Sequence, residues 1–269
     1  MRRTTIILLT ALSSLLLLSV IFIIHLRFFA PINGITERIL SEKKLSGKVD
    51  SINVSLYKVI KFFDEDKGRD LDISNSLIVQ PFKSEQQKGM FCFPKELSFM
   101  INKQASGDTL IIKLKYLGKQ LDALLAGGKY KGIHAQFYLY TDSVSALAIK
   151  NESRRLATVF KRVISPEITL YTTNDALVDS CRIDKLNISG FYPDICLTNS
   201  KINIVSLDLD NFAAWHIEKC NINEERLTGS KNNYIDLPKT ECRKMVWKGK
   251  TKSAELHVNL KSDKATISF

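Results

Sequence analysis

Ile183-Asp184-Lys185-Leu186-Asn187-Ile188-Ser189 is matched further along the chain by Ile204-Val205-Ser206-Leu207-Asp208-Leu209-Asp210, and the likeness runs on to Phe191 and Phe212. The shared pattern is apolar, two free positions, apolar, polar, apolar, polar. It recurs at Val49-Ile52-Val54, Val144-Leu147-Ile149 and Ile217-Cys220-Ile222, so the copies are unevenly spaced, starting at Val49, Val144, Ile183, Ile204 and Ile217. In a strand the last two apolar positions share one face and the intervening Asn or Asp points the other way. The first apolar residue, three positions earlier, needs a bend or bulge to reach the same interior. Strand, corner and short strand, repeated at the step from Ile183 to Ile204, predict a mostly β chain with a parallel β-solenoid (β-helix) domain. A β-sandwich with look-alike strands is the alternative.

The flanking sequence agrees with a β-rich chain. Ile133, Ala135, Phe137 and Leu139 alternate with polar or aromatic neighbours, as do Leu256, Val258 and Leu260 and finally Ala265, Ile267 and Phe269, while Leu110, Ile112 and Leu114 alternate with Ile111, Lys113 and Lys115. Helix is predicted only over Lys119–Ala126, stopped by Gly127 and Gly128, over Glu152–Val163, and in a juxtamembrane stalk at Ile35–Lys44.

The stretch from Thr4 to Ile24 carries no charged side chain. At ~1.5 Å per residue it reaches roughly 31 Å, the thickness of a hydrocarbon core. A cleaved leader needs a small-x-small site, whereas His25, Arg27, Phe28, Phe29, Ala30 and Pro31 follow the run. The sequence therefore predicts an uncleaved transmembrane signal anchor over residues 1–30, a stalk over 31–45 and an extracytoplasmic domain over 46–269. Arg2, Arg3 and the terminal amine precede the span, which puts the amino terminus in the cytoplasm and the domain in the periplasm or at the cell surface.

Residues 1–30 contain Arg2, Arg3 and Arg27 and no acid, so the remaining 36 Lys plus Arg face 28 Asp plus Glu, a net charge of +8. Partners are therefore expected to be the membrane, other envelope proteins or anionic glycans, and the compartment disfavours nucleic acid. The densest basic cluster is Arg243, Lys244, Lys248, Lys250 and Lys252 around Trp247. It reads as a solvated turn, with lipid phosphate or acidic polysaccharide as the functional alternative.

Gly107-Asp-Thr-Leu-Ile-Ile-Lys-Leu114, Phe137-Tyr-Leu-Tyr-Thr-Asp-Ser-Val-Ser-Ala-Leu-Ala-Ile149 and the coils from Ile183 to Ile222 together resemble the membrane-anchored or secreted Bacteroidetes proteins carrying the head GIN domain. The resemblance implies an adhesin-like module with a β-helical fold over about residues 46–269. It also implies O-glycosylation at Asp50-Ser-Ile, Asp108-Thr-Leu and Asp142-Ser-Val. Coils in that family are small and rich in Gly and Ser, whereas this chain places Phe191, Tyr192, Phe212 and Trp215 in its coils.

Catalytic signatures are sparse. Asp208 and Asp210, with Asp184 one coil earlier, form the candidate pair. Residues i and i+2 on one strand face would set two carboxylates roughly 7 Å apart, within the range for inverting glycoside cleavage. The competing reading is that they solvate a strand whose Leu207 and Leu209 point inward, and no local Arg, Lys or His completes a site. His134, His216 and His257 lack a second ligand at metal spacing, and no cofactor or metal is expected. Gly127-Gly-Lys-Tyr-Lys-Gly132 is not a phosphate loop, because Ile133 and His134 follow it rather than Lys and Ser or Thr. Cys181, Cys196, Cys220 and Cys242 fall near coil spacing and read as small core residues, with stacked disulfides as the alternative. The expectation is a non-enzymatic single-pass envelope protein, a scaffold or adhesin-like ectodomain. The alternative is a membrane-tethered carbohydrate-active enzyme.

Overall fold

The computed structural model describes residues 42–43, 45–65, 72–116, 119–125, 132–142, 146–212, 214–237 and 242–260. The chain divides into two units, Met1–Glu42 and Lys43–Phe269. The apolar run at 4–24 and the carboxyl-terminal alternation at 265–269 lie outside the described residues. Of the expected stalk, Glu42–Lys43 and Leu45 are described, and Glu42–Lys43 is a strand rather than helix. Among the described residues no helix is long and apolar enough to cross a membrane.

The first half runs through β1 (Glu42–Lys43), β2 (Val49–Asn53), β3 (Val59–Asp64), β4 (Asp72–Pro81), β5 (Met90–Pro94), β6 (Ile101–Ser106), β7 (Thr109–Leu114), the short helix α1 (Lys119–Leu124) and β8 (Gly132–Thr141). The second half is strands: β9 (Leu147–Asn151), β10 (Leu156–Lys161), β11 (Ile164–Thr172), β12 (Ala176–Asp179), β13 (Arg182–Gly190), β14 (Asp194–Thr198), β15 (Lys201–Asp208), β16 (Ala214–Glu218), β17 (Asn221–Gly229), β18 (Asn233–Leu237), β19 (Cys242–Gly249) and β20 (Leu256–Leu260). Two large mixed sheets result. One runs β16-β14-β12-β10-β4-β8-β5-β2 and the other β19-β17-β15-β13-β11-β9-β3-β7-β6, with β18 and β20 as a separate pair.

From β11 onward every strand except β18 pairs in parallel with the strand two places before it, so the chain alternates between sheets. Side chains consequently stack in columns. Ile168, Leu186 and Val205 form one, and Leu170, Ile188, Leu207 and Leu227 another. All of these are buried, and full burial of each such side chain contributes about 1.5–3 kcal/mol. The opposing sheet supplies Phe160, Val178 and Leu197 in register.

The ladder between successive parallel strands is interrupted at one recurring position, which falls inside the Ile183 copy of the motif but just before the Ile204 copy. Ser165 pairs with Ile183 and Glu167 with Lys185, but Pro166 and Asp184 are skipped. The same gap falls at Asn203 and Asn223 in the next coils. Pro166 is tolerated there because no ladder amide is needed. Asn223 Nδ2 donates to Asn203 Oδ1 at 2.9 Å and ties two successive gaps.

Corners repeat as well. Arg162, Ser180, Asn199 and Lys219 have φ of 56°, 58°, 49° and 54°, a left-handed conformation costing roughly 1–2 kcal/mol for most L-residues. Hydrogen bonds from coil to coil offset it: Arg162 N donates to Asp179 O at 3.0 Å, Ser180 N to Thr198 O at 3.1 Å, and Asn199 N to Glu218 O at 3.1 Å. The next residue at each corner, Val163, Cys181, Ser200 or Cys220, is buried.

Four sequence expectations change. Leu156–Lys161 is strand rather than helix, because Leu156, Thr158 and Phe160 alternate into the core. The Val49 copy of the motif pairs antiparallel with β5 outside the parallel stack, and Val49 itself is exposed. Ile183 stands beside Ile202, not Ile204, so the coil is shorter than the motif alignment implies. Ile204 is only half-buried, and Ile202 and Val205 take the core positions. Helix is confirmed at Lys119–Leu124.

Candidate functional site

Asp208 ends β15, and Asp210 lies in the single 3-10 turn Leu209–Asn211 that follows. The pair is thus not two positions on a straight strand. Asp208 Oδ1 accepts the Asp210 amide at 3.4 Å. Lys250, directly after β19 and two strands along the same sheet from β15, sets its Nζ 2.6 Å from Asp208 Oδ1 and 2.7 Å from Asp210 Oδ2. From the coil between, Ser230 donates to Asp210 Oδ1 through its hydroxyl at 2.7 Å and through its amide.

Burial alone raises the Asp210 carboxyl, but hydrogen bonds from Lys250 and Ser230 and the Lys250 charge outweigh it and hold the group at about 2. Lys250 is raised in turn: burial lowers it, and the two carboxylates more than compensate. A general acid for glycoside cleavage needs a raised carboxyl. Here Asp210 is instead held well below the usual carboxylate range and both carboxylates are bridged by one ammonium, an arrangement suited to tying successive strands of the sheet together. Asp184 does not join it. Ile188 pairs with Leu207, so Asp184, at the ladder gap of β13, lies about 16 Å along the strand from Asp208's column.

Sequence reasoning found the carboxylates and missed Lys250 and Ser230, which stand 40 and 20 residues from Asp210. Stepping by coil lengths from Asp210 is the signal that reaches both.

Glu225 was also missed. It occupies a core position of β17 between Val205 and Met245, is 1% exposed, and its Oε2 has no hydrogen-bond partner. Burial pushes it up to about 7. A second buried polar group lies where the halves of the strand stack meet. Asn75 Nδ2 lies 3.3 Å from the Tyr116 hydroxyl, the Arg155 guanidinium sits 4.7 Å from that ring's centre, and burial is the main cause raising the Tyr116 phenol.

The histidines stay apart: His134 on β8, His216 on β16 and His257 on β20 are exposed, and His257 lies 3.2 Å from Glu255. Among the described residues no three His, Cys, Asp or Glu side chains converge on a metal position. Cys92, Cys181, Cys196 and Cys220 are thiols rather than disulfides. Cys181 and Cys220 do share a corner column, but Ser200 stands between them and accepts the Cys181 amide at 3.0 Å. Of the basic cluster, Lys244 pairs with Glu224 at 3.2 Å and Lys250 with the aspartates, and among its described side chains Lys248 and Lys252 are also exposed.

No family model matches the chain, and no curated protein matches it. Among solved structures it is similar to a candidate adhesin from Bacteroides fragilis, at 12% identity, over 82% of this chain and 95% of that one, with a TM-score of 0.42. It is also similar to a candidate adhesin from Parabacteroides merdae (11% identity, 82% and 98% covered, TM-score 0.33). A candidate lipid-binding protein from Parabacteroides distasonis is a third (11% identity, 82% and 95% covered, TM-score 0.34).

Proposed function

We propose that the chain is a single-pass cell-envelope protein whose residues 4–24 anchor it, amino terminus inward. Its extracytoplasmic part is a β-solenoid acting as an adhesin-like or scaffolding interaction domain rather than an enzyme. The solenoid reading is supported by the coil-to-coil parallel register, the stacked ladder gaps and the stacked left-handed corners, since each coil then buries its apolar face only against its neighbours. The observation that carries the non-enzymatic reading is Lys250 bridging Asp208 and Asp210. It uses both members of the pair that glycoside cleavage would require as acid and base. A repetitive outer face suits a partner that is itself extended, either another envelope protein or a glycan.

Two measurements test this. Carbonate extraction of native membranes should leave the chain in the pellet with its amino terminus intact, and sequencing that began near Pro31 would overturn the anchor. Pull-down of the detergent-solubilised chain should recover envelope proteins or glycans uncleaved. Glycan cleavage abolished by Asp210→Asn would replace the scaffold with an enzyme.

A further inference from the structure

The corner between β13 and β14 presents two adjacent aromatic rings to solvent. Phe191 is 51% exposed and Tyr192 65%, and they are the two aromatic side chains among the large exposed apolar residues of the described chain. Their centroids are 4.8 Å apart and their planes stand at 88°, so one ring forms a floor and the other a wall.

The corner is held rigidly. A Cβ on Gly190 would lie 2.1 Å from Thr172 O, so the backbone passes where only glycine fits. Phe191 N donates to Thr172 O at 3.0 Å, Pro193 follows, and Asp194 N donates to Asp175 Oδ1 at 3.3 Å. Tyr192 sits at φ 61°, the left-handed region the other corners also use, here carrying an aromatic side chain. A glycine there would relieve the cost of that φ, so stability does not explain the tyrosine.

Resting on the reading of this domain as an extracytoplasmic interaction module, we propose that the Phe191–Tyr192 corner is a glycan-binding site for a neutral chain of equatorially substituted hexopyranoses. Size argues against a protein partner. Two half-exposed rings offer roughly 250 Å², against about 800 Å² per partner in a stable interface. One sugar ring fits that area. An equatorially substituted pyranose presents a flat face of C–H groups, electropositive at their edge, which complements the electronegative face of an aromatic ring. Charge selects neutral over acidic sugars. Asp175 and Asp194, both exposed, border the corner and would accept hydroxyl hydrogens but repel a uronate, while the domain's net positive charge is screened beyond about 8 Å. The same carboxylates disfavour an anionic lipid surface.

The test is titration of the detergent-solubilised full chain with cellohexaose and with chitohexaose, compared with Phe191→Ala and Tyr192→Gly. The parent should bind at least one of them, and each substitution should weaken binding roughly tenfold, the scale of one lost stacking contact. Melting temperature should hold in Phe191→Ala and hold or rise in Tyr192→Gly. A parent that binds neither oligosaccharide overturns the site. Binding undiminished in both variants also overturns it, while leaving the interaction-domain reading in place. Loss of the folded state in both variants would mark the corner as purely structural.

Discussion

Lys250 Nζ lies 2.7 Å from Asp210 Oδ2 across a sequence separation of forty residues. The contact exists because the parallel strands β15, β17 and β19 lie side by side in one sheet and end at the same edge, with Ser230 following the middle one. The Asp210 carboxylate, accepting from Ser230 and Lys250, thereby joins the corners after β15, β17 and β19.

Lys250→Met should destabilise the domain by about 1 kcal/mol or less, because Lys250 and Asp208 are about 40% exposed and water screens the bridge. Asp210 is depressed in the folded state from 3.8 to about 2, so it binds its proton less tightly folded than unfolded. The stability it contributes is present above about pH 4 and is lost as pH falls toward 2. Thermal melts from pH 5 to pH 2 should show this slope in the parent and a shallower one in Lys250→Met. Identical slopes would deny the coupling.

Glu225 should act with the opposite sign. Its folded value is raised from 4.5 to about 7, so the folded state holds the proton more tightly. Stability is greatest below about pH 4.5, falls as pH rises toward 7 and levels off above it. Glu225→Gln should flatten that dependence and stabilise the domain above pH 7 by an amount on the order of 3 kcal/mol. Denaturant midpoints at pH 5 and pH 8 read this directly, and an unchanged difference between them would show that Glu225 is not buried.

Leu207 is 1% exposed in a column between Ile188 and Leu227. Leu207→Asp would bury a carboxylate without a partner and should cost several kcal/mol of a total near ~5–15 kcal/mol. The expected result is loss of the cooperative melt. A melting temperature equal to the parent's would show that Leu207 faces water.

Most inward residues were legible in the sequence, as Ile183, Leu186 and Ile188 show, but Ile204 was not, because the ladder gap at Asn203 hands its core place to Ile202 and Val205. The register was not legible either. A slip by two positions keeps the residues beyond the gap on their face, so pairing Ile188 with Leu209 and with Leu207, both buried, look alike until the ladder is seen. Glu152–Val163 read as helix because its polar corner at 152–155 hides the period-two run that starts at Leu156. The aspartates stood out as a local pair. Lys250 did not, since only the three-dimensional repeat makes it a neighbour.

Parallel stacking of β13 on β15, with Arg182 beside Lys201 and Ile188 beside Leu207, is the claim on which the columns, the corner tie and the exposed aromatic corner all rest. Asn187→Cys with Ser206→Cys tests it most directly, because these residues pair in register and neighbouring strands lie about 4.8 Å apart, within disulfide reach. Mild oxidation followed by mass-spectrometric mapping of linked peptides should recover the 187–206 bond in high yield. Absence of that bond, with Asn187→Cys instead linking efficiently to Asp208→Cys, would contradict the register and the stack built on it.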